Sequence, residues 1–187
     1  VGNLKAIAGE LDFQGRHLSA DNYTLFTQYA ERGNYRVLSY PSPSPADMGY
    51  WINQSYDGDP LIGDLLRKRD FRRALKLGID REEIREVIFA GSGEIRAMAP
   101  AKGSLFDAGD KWRLHELDRD VATANELLDG LGLTDKDADG FRLRSDNGKP
   151  LSLRWDIYPW HDKALELIIK HWKDIGIKTT YNVDPQQ

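Results

Sequence analysis

The chain has 187 residues, of which 40% are apolar and 30% charged, with a net charge of -4 and a pI near 5.6. That length suits one globular domain of about 100–200 residues, and five Trp, eight Tyr and six Phe are too much apolar surface for a disordered chain. The acidic balance argues against broad nucleic-acid binding, which needs a dominant positive field, and the lack of cysteine excludes disulfides, thiolate metal sites and a cysteine nucleophile.

Apolar runs such as Val87 to Ala90 are far shorter than the roughly 20 residues of a membrane-spanning helix, and the first residues do not read as a signal peptide. The opening on Val1 fits either a mature protein or a piece of a longer one, and the stop at Gln187 straight after a strand-like run favours a piece.

Leu4 to Ala8 reads as a helix end stopped by Gly9, and Leu11 to Phe13 as a short strand. Ser19 or Asp21 caps a helix to about Arg32, with Tyr23, Phe26, Thr27 and Ala30 on one face. Gly33-Asn34 ends it, and Tyr35 to Tyr40 reads as a strand. Pro41, Pro43 and Pro45 forbid regular structure. Gly49 to Ser55 is a further strand, and Asp57-Gly58-Asp59-Pro60 a turn.

A helix from Asp64 to Leu77 turns Leu65, Phe71, Ala74 and Leu75 inward. The next starts at Asp80, with Glu83 three residues on in a capping-box-like arrangement. It points Ile84, Val87 and Ile88 inward and stops at Gly91. Residues 92 to 112 are irregular. Asp118 or Asp120 opens a helix that buries Ala124, Leu127, Leu128 and Leu131. Phe141 to Arg144 and Leu151 to Tyr158 form a hairpin around Asn147-Gly148, a strong turn dipeptide. A long amphipathic helix from Asp162 to Ile175 and a strand from Lys178 to Val183 close the chain. This alternation predicts a single α/β domain over residues 1–187, a mixed sheet with helices packed on it.

The sequence contains no pattern that points to catalysis. There is no G-x-S-x-G elbow, no phosphate loop, and no zinc spacing among His17, His115, His161 and His171. The basic run Arg67, Lys68, Arg69, Arg72, Arg73 and Lys76 reads as a solvated helix face, with Arg72 tying the helix to nearby backbone or carboxylates. Asp135, Asp137, Asp139 and Gly140 fit the first half of a calcium loop, but the last ligand position falls on Asp146 rather than the bidentate Glu of tight sites. The bland reading is an Asp-rich turn entering a hairpin.

Several segments, in order, carry a resemblance. They are Phe71-Arg72-Arg73-Ala74-Leu75 through Ile79-Asp80-Arg81-Glu82-Glu83-Ile84; Ala124-Asn125-Glu126-Leu127-Leu128 with Gly132; Asp137-Ala138-Asp139-Gly140-Phe141-Arg142 with Gly148-Lys149-Pro150-Leu151; and Trp172-Lys173-Asp174-Ile175-Gly176-Ile177-Lys178. Together with Ala8-Gly9-Glu10-Leu11-Asp12 upstream, they resemble the family 5 bacterial extracellular solute-binding proteins, the peptide/nickel-binding class of ABC importers. Gly78 departs from the family's usual Ala, which weakens a helix by about 1 kcal/mol.

The resemblance implies one lobe of a periplasmic-binding-protein-like fold of type II, with the first lobe and most of the hinge missing. It implies a solute-binding component, not an enzyme. Its solute would be a peptide, with an oligosaccharide or metal complex as other members' cargo. Its partner would be a membrane permease, and its place periplasmic or extracellular, with lipid anchoring in the parent left open. Tyr50, Trp51 and Asn53, then Tyr158 and Trp160, are the candidate ligand-binding aromatic and polar groups, since flat aromatics give large contact area with few torsions to freeze. Arg96 is the candidate for a ligand carboxylate. No cofactor is expected; the alternative is a calcium-stabilised structural or interaction domain built on Asp135, Asp137, Asp139 and Asp146.

Overall fold

A computed structural model describes residues 2–16, 18, 22–40, 48–100, 102–158 and 162–183. Backbone contacts divide the chain into two compact units, Val1–Pro43 and Ser44–Gln187.

The first unit holds two short helices, α1 (Gly2–Ile7) and α2 (Tyr23–Gln28). Phe26 is its buried anchor, and the Tyr35 hydroxyl donates to the Phe26 carbonyl at 2.7 Å. The expected helix to Arg32 stops at Gln28, because one buried side chain gives little packing to hold further turns. The expected caps Ser19 and Asp21 lie outside the described residues, as do Pro41, Pro43 and Pro45. The segments 11–13 and 35–40 form no strand, and Phe13 lies in solvent. Asn34 takes a positive φ of 52°, which turns the chain where Gly33-Asn34 was expected to.

The second unit contains α3 (Pro60–Arg67), α4 (Arg69–Leu77), α5 (Arg81–Phe89), α6 (Asp110–Arg113), α7 (Val121–Gly130), β1 (Ser152–Ile157), α8 (Asp162–Asp174) and β2 (Lys178–Val183). The expected single helix over 64–77 is two helices. Lys68 is extended, at φ -72° and ψ 126°, and breaks them. Asp59 caps α3 by accepting from the Ile62 amide, with Pro60 in the first turn, where a missing N–H costs nothing. Arg72 donates to the carbonyls of Leu66 and Arg67 at the break, which is the backbone tie expected of it. Asp80 and Asp120 cap α5 and α7 by accepting from the amides of Glu83 and Thr123.

Strands β1 and β2 pair in parallel, Ser152 with Lys178 through Ile157 with Val183, with α8 as the crossover that a parallel pair requires. The expected hairpin shrinks to an antiparallel bridge between Leu143 and Pro150. Proline has no N–H to extend a ladder, and β1 finds a six-residue partner in β2 instead. Residues 49–55 also form no strand. Helices thus pack on a small sheet that is mixed only through isolated antiparallel bridges beside the parallel pair. The core gathers Leu65, Phe71, Ala74 and Leu75 from α3 and α4, Ala124 and Leu128 from α7, Leu153 from β1, and Ile168, Trp172 and Ile175 from and just after α8. Val87, expected inward, is exposed, while Ile84, one turn earlier, packs against the core as expected. No described helix is long and apolar enough to cross a membrane.

Gly78 proves to be a fitting residue. It follows α4, and a Cβ there would lie 2.9 Å from Cδ1 of Ile175 and 3.4 Å from Cδ1 of Trp172. Its bare Cα admits α8. Gly176 has φ +79°, and a Cβ would meet Cγ of Arg142 at 2.8 Å.

Arg142 is 1% exposed. Its Nε donates to the Ile175 carbonyl at 2.9 Å, Nη1 to Asp129 and the Leu133 carbonyl, and Nη2 to Oδ1 of Asn125 at 2.6 Å. Replacing Arg142 with Met leaves those carbonyls without donors and should cost about 3 kcal/mol. Urea unfolding of the chain followed by circular dichroism checks this.

Candidate functional site

Burial alternates along residues 50–53. Tyr50 and Ile52 pack against the core, while Trp51, 79% exposed, and Asn53 face solvent. Tyr50 meets Trp155 of β1 edge-on at 4.5 Å between ring centroids, an arrangement that aromatic quadrupoles favour. Trp155 in turn meets Trp172 of α8 at 5.1 Å, and the Trp172 indole donates to the Leu75 carbonyl at 2.9 Å. An aromatic column therefore fastens residues 49–53 to β1 and α8. The Tyr50 hydroxyl is buried and meets no hydrogen-bond partner among the described residues, and burial pushes its pKa up to about 12.

The sequence candidates part company here. Tyr50 turns inward and Trp51 outward, where its indole and the Met98 methyl both come up against Gly49. Asn53 spends Oδ1 on the Ser55 amide at 3.0 Å. Arg96 is half-buried and already has a partner. Tyr158, 43% exposed, stands just past the carboxyl end of β1. Trp160 lies outside the described residues. Met98 was missed, because a lone Met in an irregular loop carries no pattern.

In the Asp-rich turn, Oδ1 of Asp137 accepts from the amides of Asp139 and Phe141. Asp146 receives Nε and Nη2 of Arg144 at 2.9 and 2.7 Å. The other edge of that guanidinium meets both oxygens of Asp59 at 2.6 and 3.0 Å, so one carboxylate caps α3 and anchors the turn. The Arg144 guanidinium, and then the Ile62 amide, hold the Asp59 carboxyl below its ordinary value. Among the described residues, no three of Asp135, Asp137, Asp139 and Asp146 gather their oxygens into one group.

The group that does gather is Asp80, Glu83 and His171, which sequence spacing could not reveal because α5 and α8 are far apart in the chain. His171 is 1% exposed. Its Nδ1 accepts from the Asp80 amide at 3.3 Å, so that nitrogen carries no proton, and Nε2–H donates to Glu83 at 2.6 Å. A metal on Nε2 would need the proton on Nδ1, against the Asp80 N–H. The trio is thus a tie between α5 and α8, with Nζ of Lys170 2.7 Å from the same carboxylate. A hollow of about 480 Å³ beside α4 and α7 is lined by Arg73, Glu116, Asp118 and Asp120 among others, and by none of the sequence candidates.

Comparison with known proteins adds the following. The family model described as bacterial extracellular solute-binding proteins, family 5 Middle, matches residues 3–187. An oligopeptide-binding protein, OppA, is 31% identical with a TM-score of 0.78, over 98% of this chain and 29% of that one. The oligopeptide-binding protein AppA from Bacillus subtilis, solved with a nonapeptide, is 18% identical at TM-score 0.72, over 98% and 34%. The periplasmic binding protein MelB from Agrobacterium fabrum, solved with stachyose, is 18% identical at 0.66, over 97% and 29%. The fold is the type II periplasmic-binding-protein fold, and the chain spans roughly a third of the length of these structures. No curated protein sequence matches the chain.

Two outcomes follow from the site geometry. Tyr50→Phe removes an unpaired buried hydroxyl and should raise stability by about 1 kcal/mol; a loss in urea unfolding would mean that the hydroxyl has a partner. Glu83 is held at about 2, against 4.5 ordinarily, first by His171 and then by Lys170. Its folded-state pKa is depressed, so its contribution to stability is present above about 4.5 and is lost as pH falls toward about 2. Glu83→Gln should flatten the acid slope of stability in that window, read by urea midpoints across the range.

Proposed function

Because this chain belongs to the family 5 bacterial extracellular solute-binding proteins, we propose that it is one lobe of the substrate-binding component of an ABC importer. The component captures an oligopeptide or similar small solute outside the cytoplasm and passes it to a membrane permease. The observation that carries this reading is the match along residues 3–187, joined to 31% identity with an oligopeptide-binding protein over 98% of the chain. The work is reversible binding, without a chemical step. Its place is periplasmic or extracellular, and a lipid anchor on the full-length protein belongs to the same proposal.

The geometry supports the reading in two ways. In open α/β sheets, ligands sit beyond the carboxyl ends of the strands, and Tyr158 stands there on β1. Trp51 also presents a flat apolar face to solvent, on a segment that the Tyr50–Trp155–Trp172 column holds still. A rigid backing lowers the ordering cost when a solute lands. In this reading the solute lies between this lobe and a second one that closes over it by hinge motion. Peptide is the first solute class because OppA, at 31% identity over 98% of this chain, shows more than fold. An oligosaccharide stacking on Trp51 is the runner-up.

Native mass spectrometry tests the division of the cleft. The full-length protein should retain a co-purified solute and the 187-residue chain should not; a tightly bound solute on the chain alone overturns the one-lobe reading. In the full-length protein, Trp51→Ala and Tyr158→Ala should each weaken solute binding about tenfold, the equivalent of about 1.4 kcal/mol. Calorimetry reads this, and unchanged affinity in both variants removes these residues from the site.

A further inference from the structure

The turn between Leu143 and Pro150 contains the chain's single Asn-Gly pair, Asn147-Gly148. Both residues are exposed, and glycine after asparagine leaves the following amide nitrogen open to approach the asparagine side chain. We propose that Asn147 is a covalent ageing site of this protein, and that the Arg144 clamp sets its rate. The step is intramolecular. The Gly148 amide nitrogen loses its proton and attacks Cγ of Asn147, and the side-chain nitrogen leaves as ammonia. Water then opens the resulting succinimide at either carbonyl, giving aspartate or isoaspartate.

The closed turn holds both reacting groups back. The Gly148 N–H donates to the Arg144 carbonyl at 3.0 Å, so its proton is committed. Oδ1 of Asn147 accepts from the Lys149 amide at 3.0 Å, which fixes the side chain. The Arg144 amide closes the base of the turn on the Lys149 carbonyl at 2.8 Å. Arg144 is in turn fixed by Asp146 on one side and by Asp59, the cap of α3, on the other. Attack requires the turn to open, and opening requires the clamp to slacken. Reaction then makes the change permanent. Isoaspartate lengthens the main chain by one carbon within the turn, and either product places a new carboxylate beside Asp146, competing for Arg144. The inference is independent of the solute-binding reading.

The experiment incubates the chain in mildly alkaline buffer and follows isoaspartate by peptide mapping and isoaspartyl methyltransferase labelling. Conversion should appear at Asn147 ahead of every other asparagine. Asp146→Asn, which loosens only the exposed arm of the clamp, and Arg144→Gln should each speed it about tenfold, the equivalent of about 1.4 kcal/mol taken from the closed turn. Hydrogen exchange in α7 should stay as in the parent chain, which separates turn opening from global unfolding. Gly148→Ala should suppress the reaction. No conversion at Asn147 in the folded chain, or an unchanged rate in Asp146→Asn with α7 intact, overturns the proposal.

Discussion

The larger unit is organised around a buried guanidinium. Arg142 uses all five of its N–H donors, and its acceptors belong to different pieces of the fold: Asn125 and Asp129 on α7, Leu133 after it, and Ile175 at the end of α8. A buried charge is costly unless it is paired and fully hydrogen-bonded. The arrangement of α7, α8 and the intervening turn meets that requirement. The main chain of Arg142 adds to it, donating to the Gly176 carbonyl at 2.7 Å and accepting from Leu151 at 2.7 Å. Gly176 has no side chain where the arginine stem passes. The Arg142 carbonyl thereby holds Leu151 just before β1, and the Leu151 carbonyl accepts from Lys178 at the start of β2 at 3.1 Å.

Carboxylates do the equivalent work between other pieces of the unit. Asp59 caps α3 and also takes a bidentate arginine from the turn, so a local helix signal is reused as a long-range tie. Glu83 sits in the first turn of α5, where a negative charge suits the helix dipole, and reaches His171 on α8. Beside these ties stands the aromatic column of Tyr50, Trp155 and Trp172, the last of them next in the chain to His171. The column gives the exposed Trp51 a rigid base, and the proposed solute contact depends on it more than on any one polar group.

Much of this was legible in the sequence. The caps Asp80 and Asp120, the inward set Leu65, Phe71, Ala74 and Leu75, the helix from Asp162 and the strand from Lys178 all follow from short-range rules, namely a side-chain acceptor before a helix and the helical repeat of apolar residues. The family was legible for the same reason, since its motifs are those helix starts and turns. Three readings failed where a partner outside the local pattern decided the outcome. The Leu143 segment was to pair with β1, but β2 supplied the longer ladder. The helix through Lys68 broke because Arg72 could satisfy the carbonyls on the far side of the break. Val87 was read as core, but α5 meets α8 through Glu83 and His171 instead.

The sequence by itself determined where helices begin, which residues are apolar enough to be buried, and the family the chain belongs to. Each of these is written within a few residues of chain or in the order of such segments. Tertiary structure alone decided that Tyr50 faces inward while Trp51 faces out, that Arg142 is buried rather than solvated, and that His171 holds its proton on Nε2. Those outcomes depend on groups brought together from far along the chain. A charged or aromatic side chain has the same local signature whether its partner is water or a carbonyl from another helix.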